Sequence, residues 1–242
     1  MSSVVEAVGG DDVKVQTVVP FGMCPGHFDL TPSQARSMRE SDLLLYHGFE
    51  RFLDGFEMKE DRNAVRVAVK GNWMIPHIHT QAVEKVSGIL GTTDAGSAQS
   101  YEARAAAYAR AVNKTAAASR RLLAGMEGLR VISAKMNRDL VKWMGFEVIS
   151  TFPRDEDISV RDMHRLIREG REKKTAAVID NSQSSGKVGF IVAKELGVPF
   201  VSISNFPDPE TAGDAGRPYT GTLIANSRKI KAALGEKSDG RE

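Results

Sequence analysis

The sequence predicts an α/β protein of two lobes, each built on a parallel sheet, with one long helix between them. Three observations carry this. Short apolar runs alternate with amphipathic segments over most of the 242 residues, which is the pattern of parallel strands joined by helical crossovers. One stretch, 97–125, breaks the alternation: it is dense in Ala, Arg and Lys and free of Pro and Gly until its end. It therefore reads as a single helix of roughly 40 Å. After Gly128 the alternation resumes. The length suits two small domains, and the divisions follow as a first lobe over 1–96, a backbone helix over 97–127 and a second lobe over 128–242.

Taken in order, 13–19 reads as a strand of β-branched residues ending at Pro20. A Gly- and Pro-bearing loop follows over 21–30. Thr31-Pro32-Ser33 starts a helix, with a capping residue ahead of Pro at the first helical position, and the helix runs through 34–40. Residues 42–46 are short and almost wholly apolar, as a buried parallel strand should be. A short helix near 50–56, a strand over 64–69, a loop over 70–80 and a helix over 81–90 complete the lobe, with a polar break at 91–96. In the second lobe 129–133, 147–152, 176–180 and 200–204 read as strands. The stretches 135–144, 160–173, 186–196 and 219–234 read as helices. The polar tail after 234 is expected to fray, and no repeat of 20–50 residues is present.

Composition narrows the function. With 33 basic and 31 acidic residues, net charge +2, there is no basic stripe of the kind a nucleic-acid binder carries. The one cysteine, Cys24, cannot form an internal disulfide. No apolar stretch is long enough to span a bilayer. No secretory signal opens the chain, so it is expected either to stay inside the cell or to follow a removed export segment. There is no phosphate-binding GKS/T loop, no HExxH and no GxSxG, and no acidic pair stands out as general acid and base. An enzyme is not expected.

Ligands of open α/β sheets sit outside the carboxyl ends of strands, so the loops after strands hold the candidates. The first brings Cys24, His27 and Asp29 together in Phe21-Gly22-Met23-Cys24-Pro25-Gly26-His27-Phe28-Asp29. Imidazole and thiol suit borderline or soft transition metals; a surface histidine in a tight turn fits the same residues. The loop after the third strand carries His77 and His79 around one apolar residue. In extended backbone the two would point the same way, and at a helix start they would diverge. Trp73 and Met74 read as packing residues. His47 also follows a strand and is a weaker candidate, whereas His164 lies in a charged helix. In the second lobe, Asp180-Asn181-Ser182-Gln183-Ser184-Ser185 opens a helix, where it can bind an anion or water or cap through Ser184 or Ser185. Ser204-Asn205-Phe206-Pro207-Asp208 follows the last strand.

These residues resemble a known family. The runs His27-Phe28-Asp29-Leu30-Thr31-Pro32-Ser33-Gln34 and Ser41-Asp42-Leu43-Leu44-Leu45-Tyr46-His47-Gly48 are similar to the zinc/manganese ABC-transporter substrate-binding proteins, the TroA-like cluster A-I group. Pro76-His77 before a helix, the long helix from Tyr101-Glu102, and Gly145-Phe146-Glu147-Val148 match in order. So do the run from Ile191 to Val198 and Tyr219 with Asn226. The resemblance implies two Rossmann-like lobes with a transition-metal ion, zinc or manganese, as transported ligand in the interlobe cleft. His27 and His77 would be ligands, with Cys24, His79 and Asn205 as further contacts. It also implies an ABC permease as partner and a periplasmic or membrane-tethered extracellular location.

Three departures qualify this. The family's first strand and helix have no counterpart before 4–10, which would leave a sheet edge open to self-association. The third family histidine is absent from Ser133-Ala134-Lys135-Met136-Asn137, and the late acidic ligand falls on neutral Ser204-Asn205. A closed zinc site wants four good ligands. The alternative expectation is therefore a degenerate scaffold of the same fold that binds a metal chelate, an organic ligand or a protein.

Overall fold

A computed structural model describes residues 1–20, 28–53, 63–211 and 218–235. The chain forms two compact units, Met1–Asn113 and Lys114–Glu242. The protein is α/β, with parallel sheets and a long helix.

In the first unit, α1 (Ser2–Gly9) runs into a 3-10 turn at Gly10–Asp12, and α2 spans Pro32–Glu40. Strands β1 (Leu43–Tyr46) and β2 (Asn63–Arg66) pair in parallel, with Tyr46 opposite Arg66. Helix α3 is Pro76–Thr93, and α4 is Ala98–Leu122, within which the division between the units falls. The α3 residues His79, Ala82, Val83, Val86, Ser87 and Leu90 are buried. Their spacing of three and four places them on one face, which packs against α1 through the fully buried Val4 and Val8. Arg104 of α4 ends α1: its Nε donates to the Val8 carbonyl at 2.6 Å and its Nη2 to Gly9 at 2.8 Å and to Asp12 at 2.6 Å. A guanidinium fork thus satisfies carbonyls that a helix end leaves open.

Two elements differ from the sequence reading. Residues 13–19 form no strand. β-branched side chains favour a pleated surface only when another strand offers a ladder, and none does so among the described residues. The Val18 carbonyl instead accepts a bond from Gln34 Nε2 at 3.0 Å. Helix α3 begins at Pro76 rather than near 81, because Pro at the first helical position needs no N–H partner; it also continues through Gly91 to Thr93. Of the predicted 50–56 helix, a 3-10 turn at Arg51–Leu53 is described.

The second unit is a four-stranded, all-parallel sheet in the order β4-β3-β5-β6. The strands are β3 (Arg130–Ala134), β4 (Glu147–Phe152), β5 (Ala177–Asn181) and β6 (Phe200–Ile203). Helices α5 (Arg138–Trp143), α6 (Val160–Glu172), α7 (Lys187–Leu196) and α8 (Pro218–Gly235) cover it. Ile132, Phe152, Leu166, Val178, Val188 and Val192 form the heart of the core. Every residue of β5 is buried, which explains its unbroken apolar run before Asp180. The chain moves outward from β3 to β4, then crosses back to β5. The topological switch point therefore lies between the carboxyl ends of β3 and β5.

Candidate metal centre

The two histidines that follow β2 part company. His77 is the second residue of α3, and its side chain is exposed. His79, two positions on, is 1% exposed. Its Nδ1 lies 3.0 Å from the Trp73 carbonyl, which only accepts, so Nδ1 carries the proton. Its Nε2 lies 3.2 Å from the Tyr108 hydroxyl, which donates. Burial pushes the imidazole down to about 3, so the ring is neutral. Extended backbone would have aligned the two rings, but the helix start separates them.

His27 and Cys24 lie outside the described residues. The chain just beyond them is anchored: the Phe28 ring meets Phe52 edge-on at 5.4 Å. Thr31 and Gln34 form a reciprocal capping box on α2. Asp29 is exposed. Among the described residues, no three His, Cys, Asp or Glu side chains converge on a point.

At the end of β1, local sequence marks Glu50 only as the start of a short helix. The structure makes it the hub of a loop. Its carboxylate accepts bonds from the N–H groups of His47, Gly48 and Phe49 at 2.8, 2.7 and 3.0 Å, and from His47 Nδ1 at 2.9 Å. Burial works against the charge, but the bonds from His47 and Gly48 outweigh it and hold the carboxyl at about 2. Gly48, at φ 101°, supplies the backbone turn that a side chain would resist.

The strand ends of the second unit carry amides and hydroxyls. Gln183 Nε2 donates to Ser204 Oγ at 3.0 Å, and the Asn205 N–H donates to Gln183 Oε1 at 3.0 Å. Asn226 of α8 brackets Ser204 with two backbone bonds of 2.9 and 2.8 Å. Asn205 is half-buried and Lys135 exposed. At the switch point, Asn137 Nδ2 donates to the Asp180 carbonyl at 3.0 Å. Asn137 Oδ1 and Asp180 Oδ2 are both buried without a hydrogen-bond partner. Burial raises the Asp180 carboxyl above the usual carboxylate range; the nearby charge of Asp155 adds to this, and the Asn181 N–H opposes it. The first turn of α7 does not present its N–H groups to a free anion. Val188 N–H donates to Asp155 at 3.2 Å, and Ser185 also bonds that carboxylate. Neither Asn137 nor Asp155 stood out in the sequence, because each acts through a residue distant along the chain.

The family model described as ZnuA, zinc-uptake complex component A, periplasmic, matches residues 1–233. This chain belongs to that family. Solved structures share its fold. The periplasmic zinc-binding protein TroA from Treponema pallidum is 19% identical, with 96% of this chain and 95% of that one covered and a TM-score of 0.79. FpvC from P. aeruginosa, in complex with a Ni2+ ion, is 18% identical over 100% of this chain and 95% of that one, at a TM-score of 0.80. A Mn-bound periplasmic metal-binding protein from candidatus liberibacter asiaticus is 19% identical over 96% of each chain, at 0.79. As a ZnuA-family member the chain is a metal-binding solute receptor, and the family implies an ABC uptake system. The family is periplasmic, and no helix among the described residues is long and apolar enough to cross a membrane.

Proposed function

We propose that this receptor binds a divalent transition-metal ion of the zinc or manganese class at the strand-end face of its first unit and hands it to an ABC permease. His77 and His27 are the nitrogen ligands, and Cys24 is a further contact. Within the second unit, Asn205 is the neutral oxygen candidate. The observation that carries this reading is the exposure of His77. Its neighbour His79 has both nitrogens engaged within the fold, whereas His77 presents its ring at the head of α3. His79 thus braces α3 against Tyr108 rather than holding the ion. Relatives crystallised with zinc, Ni2+ and Mn support the class of ligand. We place the protein in the periplasm or tethered outside the membrane, as a carrier and not an enzyme.

The test is metal content after stripping with a chelator and reloading with zinc, manganese, cobalt, nickel or copper. Near-stoichiometric metal in the parent, lost in His27→Ala and in His77→Ala, is expected. Metal retained by both variants would move the site elsewhere. A second reading has its own support: Gln183, Ser204 and Asn205, after β5 and β6, form a cluster of neutral groups bonded to one another, which suits a chelate with polar edges better than a bare cation. No uptake of any free ion, with a thermal shift from a metal chelate, would favour it.

A further inference from the structure

The end of β1 holds a second imidazole built as metal ligands are built. Nδ1 of His47 lies 2.9 Å from Oε1 of Glu50. A carboxylate only accepts, so Nδ1 is the nitrogen that donates to Glu50, which leaves Nε2 as the ring nitrogen able to take a metal ion. Nε2 has no hydrogen-bond partner among the described residues, and it is not one of the buried unpartnered atoms. Metal-bound histidines are oriented in this way, with the second ring nitrogen donating to a carboxylate.

The ring is also fixed in place. Phe49 stacks on it at 4.9 Å and 24°, and the Trp73 ring meets it edge-on at 4.6 Å. Trp73 is itself held by a bond from Nε1 to the Val69 carbonyl at 3.2 Å. It stands four residues before His77, in the loop that leads into α3. The parallel register of Tyr46 with Arg66 brings the loops after β1 and β2 to the same end of the sheet. Arg66 adds a positive charge there, donating from Nε to the His47 carbonyl at 3.0 Å. The Glu50 carboxylate, 8% exposed, offsets it.

We infer that His47 is a further metal-ligating residue of this receptor, binding a borderline divalent ion through Nε2 on the same strand-end face as His77, with Glu50 as its orienting carboxylate. The inference rests on the metal-receptor reading above. His47 is not needed merely to hold Glu50, since three backbone N–H groups already do so.

The experiment measures zinc affinity by chelator competition for the parent chain, His47→Asn, His47→Gln and His77→Ala. Imidazole ligands are counted by X-ray absorption at the zinc edge. The amide of His47→Asn can still donate to Glu50, and melting of the metal-free protein checks that the fold is kept. We expect the His47 variants to lose at least about tenfold in affinity and one imidazole from the count. Parent-like affinity and count in both His47 variants, with binding lost in His77→Ala, would overturn the role of His47 and leave the receptor reading standing. Weaker binding with an unchanged count would also overturn it, since His47 would then be only a brace. A parent chain that takes no zinc would sink both.

Discussion

At the scale of single residues, Asp180 is the most exposed to test because it sits where burial and charge conflict. Its carboxyl is raised in the folded chain, while in the unfolded chain it titrates near ~3.9. A raised folded value means that the folded state holds the proton longer. The stability this contributes is complete below ~3.9 and is lost as pH rises through the folded value. Asp180→Asn stays neutral throughout, so its melting temperature should gain on the parent between pH 4.5 and pH 7.5. A gap that stays constant with pH would refute the assignment. Gly189 tests the same packing from the other side. A Cβ there would stand 2.3 Å from Asp180 Oδ2, so Gly189→Ala should destabilise by about 1–3 kcal/mol, read as a shift in the urea midpoint. Gly189→Ala in the Asp180→Ala background should recover most of that loss; equal losses in both backgrounds would refute the contact.

At the scale of elements, capping is the contribution most open to direct measurement. The α2 capping box joins Thr31 and Gln34 reciprocally, and Gln34 also reaches the Val18 carbonyl. Thr31→Ala should cost about 1 kcal/mol and Thr31→Ser much less; equal losses would show that the hydroxyl is not what matters. Arg104→Ala should speed amide exchange in α1, and Arg104→Lys should not restore it, because an ammonium lacks the fork that spans Val8, Gly9 and Asp12. Much of this scale was legible in the sequence. The Thr31-Pro32 start, the whole β/α alternation of the second unit and the Ala-rich α4 follow from local propensity and periodicity. The strand expected over 13–19 was not legible as a loop, since its β-branched residues specify readiness to pair and not the presence of a partner. The site was legible in part. With α3 begun at Pro76, the apolar phase His79, Val83, Val86, Leu90 already puts His79 inside and His77 out. With the helix begun near 81, helical phase does not yet separate the two, and only the family resemblance sets His77 ahead of His79. The roles of Glu50, Asn137 and Asp155 depend on turns and crossovers that no spacing in the sequence announces.

At the scale of the whole molecule, the receptor reading predicts linkage between metal and stability. A ligand bound only by the folded state adds RT ln(1 + [L]/Kd), about 2.7 kcal/mol at a hundredfold excess over Kd. For a chain of this size each kcal/mol is worth roughly 2–4 °C, so saturating zinc or manganese should raise the melting temperature by roughly 5–10 °C. His77 is exposed at a helix start, and its replacement removes no packing. His77→Ala should therefore melt like the metal-free parent and lose the metal-dependent rise. His79→Ala should do the reverse. It removes a buried ring with two engaged nitrogens, so the metal-free protein itself should melt several degrees lower, while the rise with metal persists in the fraction that folds. Thermal melts of the three proteins with and without metal separate the two roles. If His79→Ala abolished the rise and His77→Ala kept it, ligand and brace would be exchanged, and the strand-end face of the first unit would have to be read the other way round.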